Sequence, residues 1–346
     1  MATPTVPQRR LLAYAAKKGT TWGTAVALGA TDGMHVYSCG VSGPSAPYLP
    51  AKEADTPFTK TGVLGQLEAI AINIAFDARY DAGALALLEA LFMGTAGAPT
   101  DLTGAYAHTF QFADNPAGFA CMAWEKPSKI FEVQSAKPTG MTFNIGDGLL
   151  KGAITLIGNQ VIDDSAVNTA TQMDAVTYDD DYNRITFEQI SVKMNAESGG
   201  AVASETALEY SNLDISFQRP MDSVHAGGGA TIIEPLQNDH PVVTVKIDFP
   251  RMNATNDDYF QTFNAETAQK ILVSATGALI TGALYYDKKF NFPRMKIVNI
   301  EYPDGGEITP ASITLQSEQA AANPTGMDYA RPYIVTINTQ LADYLA

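Results

Sequence analysis

Hydrophobic and polar positions change period within one stretch, Ala69 to Gly94, AIAINIAFDARYDAGALALLEALFMG. Ile70, Ile72, Ile74 and Phe76 fall on one face of an extended strand, with Ala71, Asn73 and Ala75 on the other. From Asp81 onward, Leu85, Leu88 and Phe92 recur at three-to-four spacing, with Leu87 and Leu91 beside them, which predicts a helix. Asp81 is the expected N-cap and Gly94 the expected stop.

The same module returns in the second half. Val243, Val245, Ile247 and Phe249 alternate with Thr244, Lys246 and Asp248, and a helix is expected over 257–271. Ile70 and Val243 lie 173 residues apart, half of the 346. A strand-helix module repeated at half the chain length predicts a duplicated domain, with halves at 1–170 and 171–346.

The remaining text is mostly β. Residues 1–10 read as a polar arm, Leu11 to Lys17 and Met34 to Cys39 as strands, and 43–62, with four prolines, as a long loop. His108 to Phe112 and Gly118 to Glu125 flank an Asp-Asn-Pro turn and predict a hairpin. Ile130 to Ala136 and Met141 to Ile145 read as two strands separated by Pro138 and Gly140, followed by a strand over 150–158 and a polar linker over 161–183. Arg184 to Asn195 and Glu209 to Arg219 predict a long hairpin with a Gly/Ala/Ser tip at 197–205. Met295 to Ile300 followed by Asp304-Gly305-Gly306 echoes Met141 to Ile145 followed by Gly146-Asp147-Gly148. Between the module and this echo the second half is shorter by nearly one hairpin, and strands at 311–317 and 333–339 close the chain. The fold class expected is mainly β, a sandwich or barrel wall with one short helix per half.

Charge narrows the partners. Lys plus Arg is 22 against 37 for Asp plus Glu, a net −15, while charged residues are only 17% of the chain. Such a surface repels nucleic acid instead of neutralising phosphates, although DNA could still pass it without sticking. Cys39 and Cys121 make no disulfide framework and suit a reducing compartment. The first residues lack a signal peptide's apolar core, and no apolar run approaches the roughly 20 residues of a membrane span. The expectation is a protein made in the cytosol, with no membrane insertion.

Catalytic patterns are missing. There is no GxSxG, Walker A, HExxH, CxxC pair or GxGxxG before a helix. His35, His108, His225 and His240 have no ligand spacing. Ser42 sits in a Pro/Gly loop, not at a nucleophile elbow. Asp179-Asp180-Asp181 lacks the spaced ligands of a calcium loop and reads as solvated linker. Glu188 and Asp214 could form a glycosidase pair, but acids on a polar strand face are usually only that. Gly227 to Gly229 reads as a turn, not a phosphate cradle. No enzyme, cofactor or metal is expected. What remains is architecture, with long polar hairpins and edges suited to assembly.

At KKGTTWGTAVAL, residues 17–28, and in the strand plus Leu-rich helix of 62–94, the chain resembles the tail tube (major tail) proteins of long-tailed bacteriophages. The likeness covers the first hundred residues best and reaches the second half through the internal repeat. It implies two tandem tail-tube-like β-sandwich domains, each with a short flanking α-helix. It further implies homotrimeric, pseudo-sixfold rings stacked into a virion tail tube, a negatively charged conduit for double-stranded DNA during ejection. Partners implied are a tape measure protein and the tail terminator and distal tail proteins. Lumen-facing residues expected are Glu188, Asp214, Ser216 and Gln218, then Asn73, Thr244 and Asp248. Tyr48, Lys52, Glu53, Glu197 and Ser204 are expected to join successive rings. The rival readings are a non-assembling β-sandwich that binds or hydrolyses carbohydrate, and another virion part such as a decoration or fibre protein.

Overall fold

A computed structural model describes residues 14–51, 58, 61–96, 98–114, 116, 118–126, 129–145, 148–178, 183–253, 258–302, 311–341 and 343–345. The arm 1–10, the start of the strand expected at Leu11, Lys52, Glu53, Asp179 to Asp181, Gly146, Asp147 and Asp304 to Gly306 lie outside the described residues.

The first half carries β1 (Tyr14–Lys18), β2 (Ser38–Val41), β3 (Tyr48–Pro50), β4 (Gly62–Leu64), β5 (Ile70–Asp77), α1 (Ala84–Met93), β6 (Gly94–Ala96), β7 (Thr100–Asp101), β8 (Tyr106–Phe112), β9 (Ala120–Lys126), β10 (Lys129–Asn144), β11 (Lys151–Gly158), β12 (Val161–Asp163) and α2 (Ala170–Asp174). The second carries β13 (Ile190–Ala196), β14 (Asn212–Gln218), β15 (Val242–Phe249), α3 (Tyr259–Asn264), β16 (Gln269–Thr281), β17 (Leu284–Glu301), β18 (Ala311–Ser317) and β19 (Tyr333–Asn338). The protein is mainly β, and every pairing in these sheets is antiparallel.

Each half folds two sheets over one core, and a single long strand belongs to both. In the first half the orders are β2-β5-β11-β10 and β1-β9-β10-β12. In the second they are β14-β15-β18-β17 and β13-β16-β17-β19. The repeat therefore extends to every strand of both sheets. Ala136 and Met295, Lys137 and Lys296, and Pro138 and Ile297 are each 159 residues apart and hold equivalent positions in β10 and β17. Both long strands bulge at the same two places. The offset falls from 173 at β5 and β15 to 149 at β9 and β16, because β6 to β8 have no counterpart in the second half.

Several sequence expectations are corrected. Residues 130–136 and 141–145 belong to one strand, because Pro138, which lacks an N–H, is absorbed by a bulge between Pro138 and Gly140. The echo is shifted: Met295 matches Ala136, and Ile300 matches Met141. β8 does not form a hairpin with β9; it pairs with β19 of the other half. β13 and β14 do not pair either: β13 bonds to β16, and β14 to β10 and β15. α3 ends at Asn264, because Ile271, Val273 and Ala275 alternate inward as part of β16. The described part of the expected linker, 161–178, is packed onto the first half, where buried Asn168 accepts the Leu28 N–H at 2.9 Å and donates to Glu132 at 2.6 Å.

The central module stands, with two changes. β5 buries Ile70, Ile72, Ile74 and Phe76 as expected. α1 ends at Gly94, which takes the left-handed conformation at φ 86°. Its N-cap is Gly83, not Asp81, and all ten helix residues are buried, not one stripe. One apolar cluster spans both halves. It includes Phe143 and Phe290, 4.8 Å apart between ring centres, and Phe92 and Phe217 at 6.2 Å.

Candidate functional site: a continuous eight-strand wall

The two four-stranded sheets that contain the module are joined edge to edge. β10 pairs with β14 over five residues, Gly140–Asn144 against Gln218–Asp214. The result is one wall in the order β2-β5-β11-β10-β14-β15-β18-β17, four strands from each half. One face is apolar core, through Ile74, Ile154, Met141, Phe217, Val243 and Leu315. Period-two alternation sends the intervening side chains to the other face.

That outer face is polar and small. A single row crosses all eight strands as Ser38, Ala75, Ala153, Thr142, Ser216, Thr244, Gln316 and Lys296. The adjacent row reads Lys151, Asn144, Asp214, Lys246, Thr314 and Asn299. Six of the seven expected lumen residues, Asn73, Asp214, Ser216, Gln218, Thr244 and Asp248, share this face. Glu188 does not: it is exposed in a 3-10 turn, Phe187–Gln189, that leads into β13 of the opposite sheet. The error follows from the false hairpin, which placed Glu188 beside Asp214. The hairpin that suggested a Glu188–Asp214 carboxylate pair does not form.

Side-chain bonds knit the face across the junction between halves. Asn144 of β10 donates to Asp214 of β14. Asn212 donates to Asp214 at 3.1 Å and to Asp248 at 3.0 Å, and Lys246 lies 3.4 Å from Asp248. Thr139 and Thr155 hydroxyls are 3.2 Å apart. Gly140 is required here, since a Cβ would fall 2.6 Å from the Thr155 hydroxyl. Among the described residues the face balances Asp214, Asp248 and Glu301 against Lys151, Lys246 and Lys296, while Asp77 is buried against Arg184 at 3.2 Å. The chain's net −15 is not concentrated on it.

Sequence reading missed the other face residues of β10, β11, β17 and β18. Their signal was the plain alternation of MTFN and SITLQS, but the strand order that makes them neighbours is a long-range property.

Among the described residues both ends of the wall are open edges. Among the described residues β2 pairs only with β5, and the last part of β17 only with β18. Tyr37 beside β2 is 56% exposed and Val298 in β17 is 48% exposed, so each edge carries an accessible large side chain. Of the expected inter-ring residues, Tyr48 is exposed on a two-stranded hairpin formed by β3 and β4. Glu197 is not at a free tip: it is paired with Arg294, and its carbonyl accepts from Lys270 at 3.3 Å. Ser204 is exposed, and its hydroxyl donates to the Ala201 carbonyl at 2.7 Å.

No group of three or more His, Cys, Asp or Glu among the described residues is placed to hold a metal ion. The Ser42 hydroxyl accepts the Ala71 N–H at 2.9 Å, a strand-end bond. Among the described residues no helix is long and apolar enough to cross a membrane. No protein-family model matches this chain, and no curated protein matches it in sequence.

Proposed function

We propose that this protein is a structural subunit that polymerises into rings, and that the rings stack as a phage tail tube through which double-stranded DNA passes. One observation carries the reading: the junction already made inside the chain. There the fourth wall strand of one half, β10, accepts the first wall strand of the next, β14. The fourth wall strand of the second half is β17 and the first of the first half is β2, and both have open edges among the described residues. Repeating the internal junction between copies joins β17 of one chain to β2 of the next. The eight-strand count is even, so the antiparallel alternation is kept around the ring. This is a heterologous contact that closes on itself.

The dimensions suit a duplex. Three copies bring eight strands each. At about 4.8 Å per strand and about 40° tilt, such a ring has a backbone diameter of roughly 48 Å, leaving roughly 38 Å after side chains. The polar outer face of the wall lines the bore in this arrangement. Its short amides and hydroxyls, with three lysines balanced by three acids, present phosphates with no net cationic surface, which lets DNA slide. Tape measure, tail terminator and distal tail proteins are the partners this role calls for.

Negative-stain imaging of the purified full-length chain tests the reading. Rings or tubes with a central hole support it; monodisperse monomers at high concentration refute it and favour the non-assembling sandwich.

A further inference from the structure

We infer that the exposed face of α3, Phe260 and Phe263, packs against the β2 side of a neighbouring copy's first half. This rests on the ring reading above. The joint inside the chain carries the inference, because there the corresponding helix and strand already meet. α1 follows β5 as α3 follows β15. All ten residues of α1 are buried, and the second half supplies part of the cover. Glu89 pairs with Lys288, the Phe92 ring centre lies 6.2 Å from that of Phe217, and Arg219 donates to the Met93 carbonyl at 3.4 Å.

In the second half the helix is bare. Only Tyr259 of α3 is buried, stacked on Phe249 of its own half. Phe260 and Phe263, three residues apart and so on one helix face, are 52 and 41% exposed. β8, which packs on α1, has no counterpart here. Neighbouring exposed aromatic rings form the kind of apolar surface that marks a contact.

The receiving strand shows the matching deficit. Cys39 pairs with Ile74 and Leu213 with Ile247, the equivalent residues of β5 and β15. Cys39, Val41 and Gly43 therefore stand where Leu213, Ile215 and Phe217 stand in the second half. Those three are each 1% exposed, in the core that the two halves share. Cys39 and Val41 are only half-buried, and Gly43 is exposed, with open space where a Cβ would lie. At the internal joint the strand brings a ring, Phe217, to the helix. At the joint between copies a glycine leaves that room for rings carried by the helix. The two surfaces of one chain cannot meet each other. α3 packs on β17, the last strand of the wall, and β2 is the first, seven strand spacings or about 34 Å away. The occupant of the α3 face is therefore a second copy of this chain.

Photochemical capture tests this in the full-length protein. Phe263 is replaced by p-benzoylphenylalanine, the sample is irradiated and run on a denaturing gel, and mass spectrometry of the digest locates the captured site. Cross-linked dimers and trimers, with capture within residues 36–45, are expected. A second variant, Phe260→Ser with Phe263→Ser, is expected to melt like the unmodified chain, since both side chains are exposed, and to lose ring formation in negative stain. Where that variant does not fold, the captured site decides. With rings formed by the unmodified chain, capture within one chain or away from β2, or rings that persist in the folded double variant, overturn this inference alone. An unmodified chain that stays monomeric overturns both this inference and the ring reading.

Discussion

Glu89 and Lys288 form a buried ion pair between the two halves, with both carboxylate oxygens 2.7 and 2.8 Å from the ammonium. Glu89 sits on α1 and Lys288 on β17, and their side chains are 1 and 2% exposed. Phe143 and Phe290 lie 5.3 and 5.8 Å beneath the ammonium. Removing one partner strands a charge in the core, so Glu89→Ala is expected to cost about 3–5 kcal/mol. Replacing both with apolar residues of similar size, Glu89→Leu with Lys288→Met, is expected to cost much less than that. Urea unfolding of the two variants, read at matched slope, checks the order.

Arg219 ties the wall to the first half. Its guanidinium donates to the Ala113 carbonyl at 2.8 Å and to Gln237 at 2.7 Å, and lies 4.1 Å from the Phe112 ring centre. Burial lowers its pKa to about 10. Arg219→Ala loses charge-assisted bonds and leaves the carbonyl unpaired, a cost of roughly 3 kcal/mol. Arg219→Lys keeps the charge without the planar fork and is expected to recover only part of it. Chemical denaturation of both variants reads the difference.

Stability is expected to fall on mild acidification through His108. This imidazole is buried in β8, with Nε2 at 2.7 Å from the Gln340 carbonyl, and burial pushes its pKa below the ordinary 6.5. The folded state therefore favours the neutral ring. That contribution is full above the ordinary value and is lost as pH falls from there toward the folded value. His108→Gln should flatten the pH dependence of the melting temperature between about pH 7 and about pH 5.

The alternation of Ile70 to Phe76, its repeat 173 residues later, and the glycine stop at Gly94 were legible because each is a local pattern. So was the missing hairpin of the second half, since a deleted segment shifts the spacing of everything after it. Strand partners were not legible. Local turn chemistry around Asp114 and Pro116 suggested a hairpin, yet the β8 edge is taken by Tyr333 to Asn338, far along the chain. Pro138 read as a break because a proline interrupts an ordinary ladder, and only the bulge shows how β10 runs through it. Glu188 was assigned to the wall through one such false pairing, while Ser216, Thr244 and Asp248 were correctly grouped because they alternate with core residues on strands that do pair.

Both cysteines are expected to resist alkylation in the native protein. Burial raises the Cys39 thiol to about 11 and the Cys121 thiol to about 12, so little thiolate exists near neutral pH. Iodoacetamide labelling at about pH 8 should be slow until denaturant is added, and mass spectrometry of the digested protein reads each site.

The wall's closure can be seen directly by cryo-electron microscopy of the purified assembly. The account predicts threefold rings in which β17 of each copy continues into β2 of the next, making one uninterrupted polar-lined barrel. Rings of six whole chains, or copies whose β2 and β17 edges face solvent, would contradict it.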